Sequence, residues 1–117
     1  MKKLAVTLTA ALLLSAFGFA AEKETTFAGE IMDSQCSSMG SHDKMLQSGA
    51  AKDARQCTLA CVKMGGQFVL FDSAHKQVYK LDDQSGPEPF AGEKVKVKGT
   101  LDKATNTIHV KGIQRAS

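Results

Sequence analysis

Cys36, His42, Cys57 and Cys61 are the residues of this chain whose types and spacing could do chemistry. Cys57 and Cys61 stand four apart, so on a helix both sulfurs face one way and can reach a single ion. Paired histidines use that spacing in helical zinc sites. Cys36 and His42, upstream, would complete a set of three sulfurs and one nitrogen, a tetrahedral zinc combination. Met39, Met45 and Met64 are interspersed with them, and thioether beside thiolate favours Cu(I). The metal expectation is therefore Cys36, His42, Cys57 and Cys61 around zinc or copper, with no other cofactor.

The same thiols admit a second chemistry. Cys36 could close a disulfide with Cys57 or Cys61, spanning a loop of about 20 to 25 residues and contributing roughly 3 kcal/mol through chain entropy. One thiol would be left over, either inert in the core or able to link two copies. A Cys57–Cys61 bridge fits less well, because an i, i+4 pair sits near the upper limit of Cα separation for a disulfide. An exchanging redox thiol is the weakest of the three readings. No Cys-x-x-Cys is present, and Cys57 is not at a helix start where the dipole would acidify it. The Cys-x-x-Cys-His of haem attachment is absent too.

Compartment bears on that choice. Lys2 and Lys3 precede an apolar run over residues 4–19, and Gly18 and Ala20 are small residues at the −3 and −1 positions of a cleavage site. Residues 1–20 thus read as a secretory signal, leaving 21–117 as one small domain. The run is shorter than the roughly 20 apolar residues of a membrane span, and Thr7, Thr9 and Ser15 interrupt it. A periplasmic or secreted location without a stable membrane anchor follows, and there disulfides can persist. The chain holds fifteen Lys and Arg against twelve Asp and Glu, and a cleaved signal would take two lysines with it. That near balance argues against nucleic acid and leaves a protein or a small ligand as the partner.

The elements that must position these residues are mostly strands. TTFAGEIM, residues 25–32, alternates as a first strand, and the pattern stops after Asp33. A short helical turn is expected around 43–47. Asp53 and Gln56 then form a capping box, and the helix through ARQCTLACVKM ends at Gly65-Gly66. Helical spacing places Ala54, Cys57, Cys61 and Met64 on one stripe. QFVLFD reads as a strand buried on both faces, paired with KQVYKLD across a turn. EKVKVKGTLD alternates strictly, with Val95, Val97 and Leu101 inward and Lys94, Lys96 and Lys98 outward. TIHVKGI closes the set, and Gly99 and Gly112 mark bends or bulges. The fold expected is mainly β with a helical insert over 34–66: a five-stranded OB-like barrel with a helix between strands 1 and 2.

GEIMDSQC, CTLACVKMGGQFVLFD and KQVYKL resemble small exported bacterial proteins of unassigned function, through their DSxC and CTxxCV elements. The ending VKVKGTLDKATNTIHVKGI is similar to the bacterial OB-fold family of periplasmic proteins. The resemblance implies a fold and a compartment, and no activity.

Other chemistry-bearing residues read as surface. His75 falls in a turn, His109 points outward, and Asp82 and Asp83 project to opposite faces of a strand end. No serine nucleophile, phosphate loop or carboxylate pair is recognisable. The function expected is an exported, non-enzymatic binding module carrying a Cys/His metal cluster; the alternative is a disulfide-stapled interaction or ligand-binding domain with one spare thiol.

Overall fold

The computed structural model describes residues 23–116, so the signal sequence expected over 1–20 lies outside the described residues. Five strands form the frame: β1 (Thr25–Asp33), β2 (Phe68–Asp72), β3 (Gln77–Leu81), β4 (Lys94–Asp102) and β5 (Thr107–Arg115). They close in the order β1-β2-β3-β5-β4, with β4 returning to β1. All neighbours are antiparallel except β3 and β5, which run parallel over Lys80–Thr107 and Leu81–Ile108.

Between β1 and β2 lie three helices, α1 (Ser34–Met39), α2 (Asp43–Gln47) and α3 (Ala54–Lys63). A 3₁₀ turn at Glu88–Phe90 bridges β3 and β4. The expected mainly-β fold, a closed five-stranded sheet with helical pieces after strand 1, is what the chain adopts. The described residues contain no helix long and apolar enough to cross a membrane.

The strand alternation sorts side chains into two cores. Ile31, Phe68, Leu70, Val95, Val97 and Ile108 fill the barrel interior. Met32 and Val69 point the opposite way and join Cys36, Ala51, Cys57 and Cys61 beneath the helices. β2 is therefore buried on both faces, as its continuous apolar run requires. The bulge anticipated near the glycines lies where the β4–β5 register slips between Lys98 and Gly99. Gly99 is the residue that permits it: a Cβ there would meet the His109 carbonyl oxygen and the Ile108 side chain.

Two local expectations change. Residues 34–39 form helix α1, although no apolar periodicity marks them. Its signal is the cap: Asp33 is extended and accepts the amides of Gln35 and Cys36, while Gly40 ends the helix at φ 79°. Met64 leaves the thiol stripe, because α3 stops at Lys63 and the Met64 side chain is 69% exposed.

Candidate metal centre

The three thiols meet. Asp33 at the end of β1, Cys36 on α1, and Cys57 and Cys61 on α3 bring their donor atoms within 4.8 Å of one another, all four buried. Cys36 Sγ and Cys57 Sγ are 3.3 Å apart. All three cysteines are free thiols.

Each of the four residues is positioned by local chemistry. α3 starts where Asp53 accepts the Gln56 amide at 2.7 Å, and the Gln56 side chain returns to the Lys52 amide at 2.6 Å. This is the expected capping pair, with its return bond one residue earlier than in the usual box. The helix then turns Cys57 and Cys61 inward, while Gly65 and Gly66 donate to the Val62 and Cys61 carbonyls. α1 is tied to the exit of α3, because Ser34 donates its amide to Gln67 at 2.9 Å and Ser34 Oγ accepts the Gln67 amide at 3.2 Å. The segment carrying Cys36 is thus tied down at both its cap and its contact with the exit of α3.

Asp33 is the ligand candidate that sequence reasoning missed. Its Oδ2 takes the Gln35 and Cys36 amides at 3.0 Å each. Its Oδ1 is buried without a hydrogen-bond partner. A capping carboxylate bonds the amide of the third helical residue, so it lies beside that residue's side chain. Here that residue is Cys36, and Asp-x-x-Cys was the legible signal.

His42 does not join the thiols. It lies in the α1–α2 link, 7% exposed, with Nε2 3.6 Å from Glu30 Oε2 and neither ring nitrogen hydrogen-bonded. Asp33, and not His42, lies with the three thiols, because α1 places Cys36 at β1's end while the chain carries His42 beyond Gly40 to a different patch. Met39 is half exposed and Met45 only borders the thiol core.

Burial dominates the electrostatics of the group. Burial, first, and then hydrogen bonding to Cys57 and the nearby Asp33 carboxylate push the Cys36 thiol far above its ordinary range. Burial and the charge of Asp33 push Cys61 up as well. A divalent ion would reverse the balance, since a coordinating thiol is deprotonated outright.

No curated protein and no solved structure matches the chain. Residues 62–116 match a family model described as a protein of unknown function, DUF5818. The matched segment holds β2 to β5, and Asp33, Cys36, Cys57 and Cys61 all precede it.

Proposed function

We propose that this protein is an exported, non-enzymatic binding module in which Asp33, Cys36, Cys57 and Cys61 hold a zinc ion. The observation that carries the reading is the buried, unpartnered Oδ1 of Asp33 beside three thiols whose donors lie within 4.8 Å of one another. Zinc holds sulfur at about 2.3 Å and carboxylate oxygen at about 2.0 to 2.2 Å, so the ligands of one ion sit within roughly 4 Å of each other. The carboxylate favours zinc over Cu(I), which prefers soft thiolate and thioether donors. Met39 and Met64, the thioethers that argued for copper, are exposed. Four protein ligands close a tetrahedral site, which is the mark of a structural ion. It would clamp α1 and α3 onto the barrel.

One observation favours a second reading, a Cys36–Cys57 disulfide with Cys61 spare. It is the 3.3 Å contact between Cys36 and Cys57. The two are separated by elemental analysis of protein purified from the exported fraction, with thiols counted after denaturation with and without chelator. Stoichiometric zinc and three thiols support the ion. One thiol and no metal would overturn it in favour of the disulfide.

A further inference from the structure

Beside the thiol core, on the same outer face of β1 and β2, a cavity of about 470 Å³ opens under the α1–α2 link. That volume is within the range of small-ligand sites, about 300 to 1,000 Å³. Phe71 on β2 and Leu46 on α2 supply its apolar wall. Its charges are one-sided: the carboxylates of Glu30, Asp43 and Asp72 line it against the single ammonium of Lys94. Asp72 is held as an anion by His75, whose Nδ1 sits 2.7 Å from Oδ2, so Glu30 is the central acid left to read a ligand.

Glu30 occupies the middle of this floor, opposite Lys94 in the β1–β4 register and opposite Phe71 in β1–β2. Its side chain is 26% exposed, and behind it stands His42, whose ring nitrogens are both buried and unbonded. The 3.6 Å between Nε2 and Oε2 exceeds hydrogen-bond distance, so the pair is poised and not joined. A buried polar ring left without a partner calls for an explanation, and a site completed by a ligand is one.

We propose that this cavity binds a small organic ammonium ion, its charged head on Glu30 and its apolar body against Phe71 and Leu46. His42 is a positioning residue: it closes onto Glu30 and fixes that carboxylate when the ammonium arrives. Charge complementarity selects the amine over an acid or a neutral alcohol of the same shape. None of these residues belongs to the thiol cluster, so the proposal stands or falls independently of the zinc reading.

The test uses three probes sharing one ring: phenethylamine, 2-phenylethanol and 3-phenylpropionate. Each is titrated into the purified protein by calorimetry, and amide shifts are followed by NMR. The expected result is saturable phenethylamine binding, with shifts confined to β1 near Glu30, the Gly40–Asp43 link and Phe71. The alcohol and the carboxylate should bind at least roughly tenfold more weakly. Glu30→Gln should bring the amine to the level of the alcohol while thermal melting confirms the fold. His42→Gln should shrink the amine-to-alcohol preference without abolishing it. The wild-type comparison decides the matter even if both variants unfold. Absence of saturable amine binding overturns the proposal, as does carboxylate binding equal to or tighter than the amine, which would assign the cavity to Lys94.

Discussion

Asp33 and Cys36 are coupled through both backbone and side chain. The Asp33 carboxylate lies with the thiols, accepts the Cys36 amide at 3.0 Å through one oxygen and leaves the other buried without a partner. One residue therefore starts α1 and faces the candidate ion. Substitutions can separate these roles, because asparagine caps a helix about as well as aspartate. Asp33→Asn should keep α1 but lose ion affinity by at least about tenfold, by analogy with the 10- to 100-fold cost of losing even a supporting group around a metal. Asp33→Ala should in addition destabilise the fold by about 1 kcal/mol for the lost cap. Competition with a chromophoric chelator and thermal melts measure the two effects separately.

The serine variants discriminate the two thiol chemistries. If one ion is held by the whole group, Cys36→Ser, Cys57→Ser and Cys61→Ser should each lower the metal content per chain. If Cys36 and Cys57 form a disulfide, Cys61→Ser should leave stability nearly unchanged, whereas Cys36→Ser should cost about 2 to 4 kcal/mol. Metal per chain, denatured thiol count and Tm of the three variants read out the pattern.

Metal binding should release protons. Burial raises the Cys36 and Cys61 thiols, so without an ion they stay protonated at neutral pH. An ion must displace those protons, and affinity therefore rises with pH. Titration of zinc into chelator-treated, reduced protein, repeated in buffers of different ionisation enthalpy, should show at least two protons released per ion. An affinity constant between about pH 6 and pH 8 would contradict displacement from these thiols.

Gly92 sits at φ 74°, and a Cβ on it would lie 2.5 Å from the Arg55 amide nitrogen and 2.7 Å from the Ala54 carbonyl carbon. It also donates its own amide to Ile31 at 2.8 Å. Gly92→Ala must therefore push the first turn of α3 off the barrel as well as strain the backbone. A loss of about 1 to 3 kcal/mol is expected from the strain alone. Because α3 carries Cys57 and Cys61, ion affinity should fall with it. Urea unfolding and the chelator competition check both.

Asp82 gives the barrel an acid limit. Its Oδ1 accepts the Val110 amide at 2.9 Å and Oδ2 lies 3.2 Å from His109 Nδ1, joining β3's end to β5. The Val110 amide, chiefly, and then His109 hold its carboxyl below the ordinary value of 3.8. A depressed carboxylate contributes stability above its unfolded pKa and loses it as pH falls through the folded one. Stability should thus decline below about pH 4, and Asp82→Asn should flatten part of that decline. Denaturation midpoints across the acid range provide the measurement.

The barrel was legible because its strands alternate or run apolar without interruption, and each is punctuated by a turn residue. Lys76 and Asn106, both at positive φ, end the turns that lead into β3 and β5. α3 was legible through Asp53, Gln56 and the paired glycines. α1 was not, because six residues are too few to show a helical period, and only its Asp33 cap announces it. The thiols' convergence followed from their spacing. The carboxylate beside them did not: residue type points to His42, whereas Asp33 is placed there by the backbone geometry of a cap. Met64 falls off the stripe because α3 ends one residue before it.

The connection between β1 and β2 has a consequence for how the chain reaches this state. β2 with β3 and β4 with β5 are neighbours joined by tight turns and can zip early. β1 must find both β2 and β4 across long stretches of chain. Closing such loops is the slow part of assembling a topology rich in distant pairings. An ion gripped by Asp33 at the tip of β1 and by two thiols on α3 would shorten the search by holding the strand near its place. If the ion is held there, metal supply would govern how fast the barrel shuts as well as how firmly it stays shut.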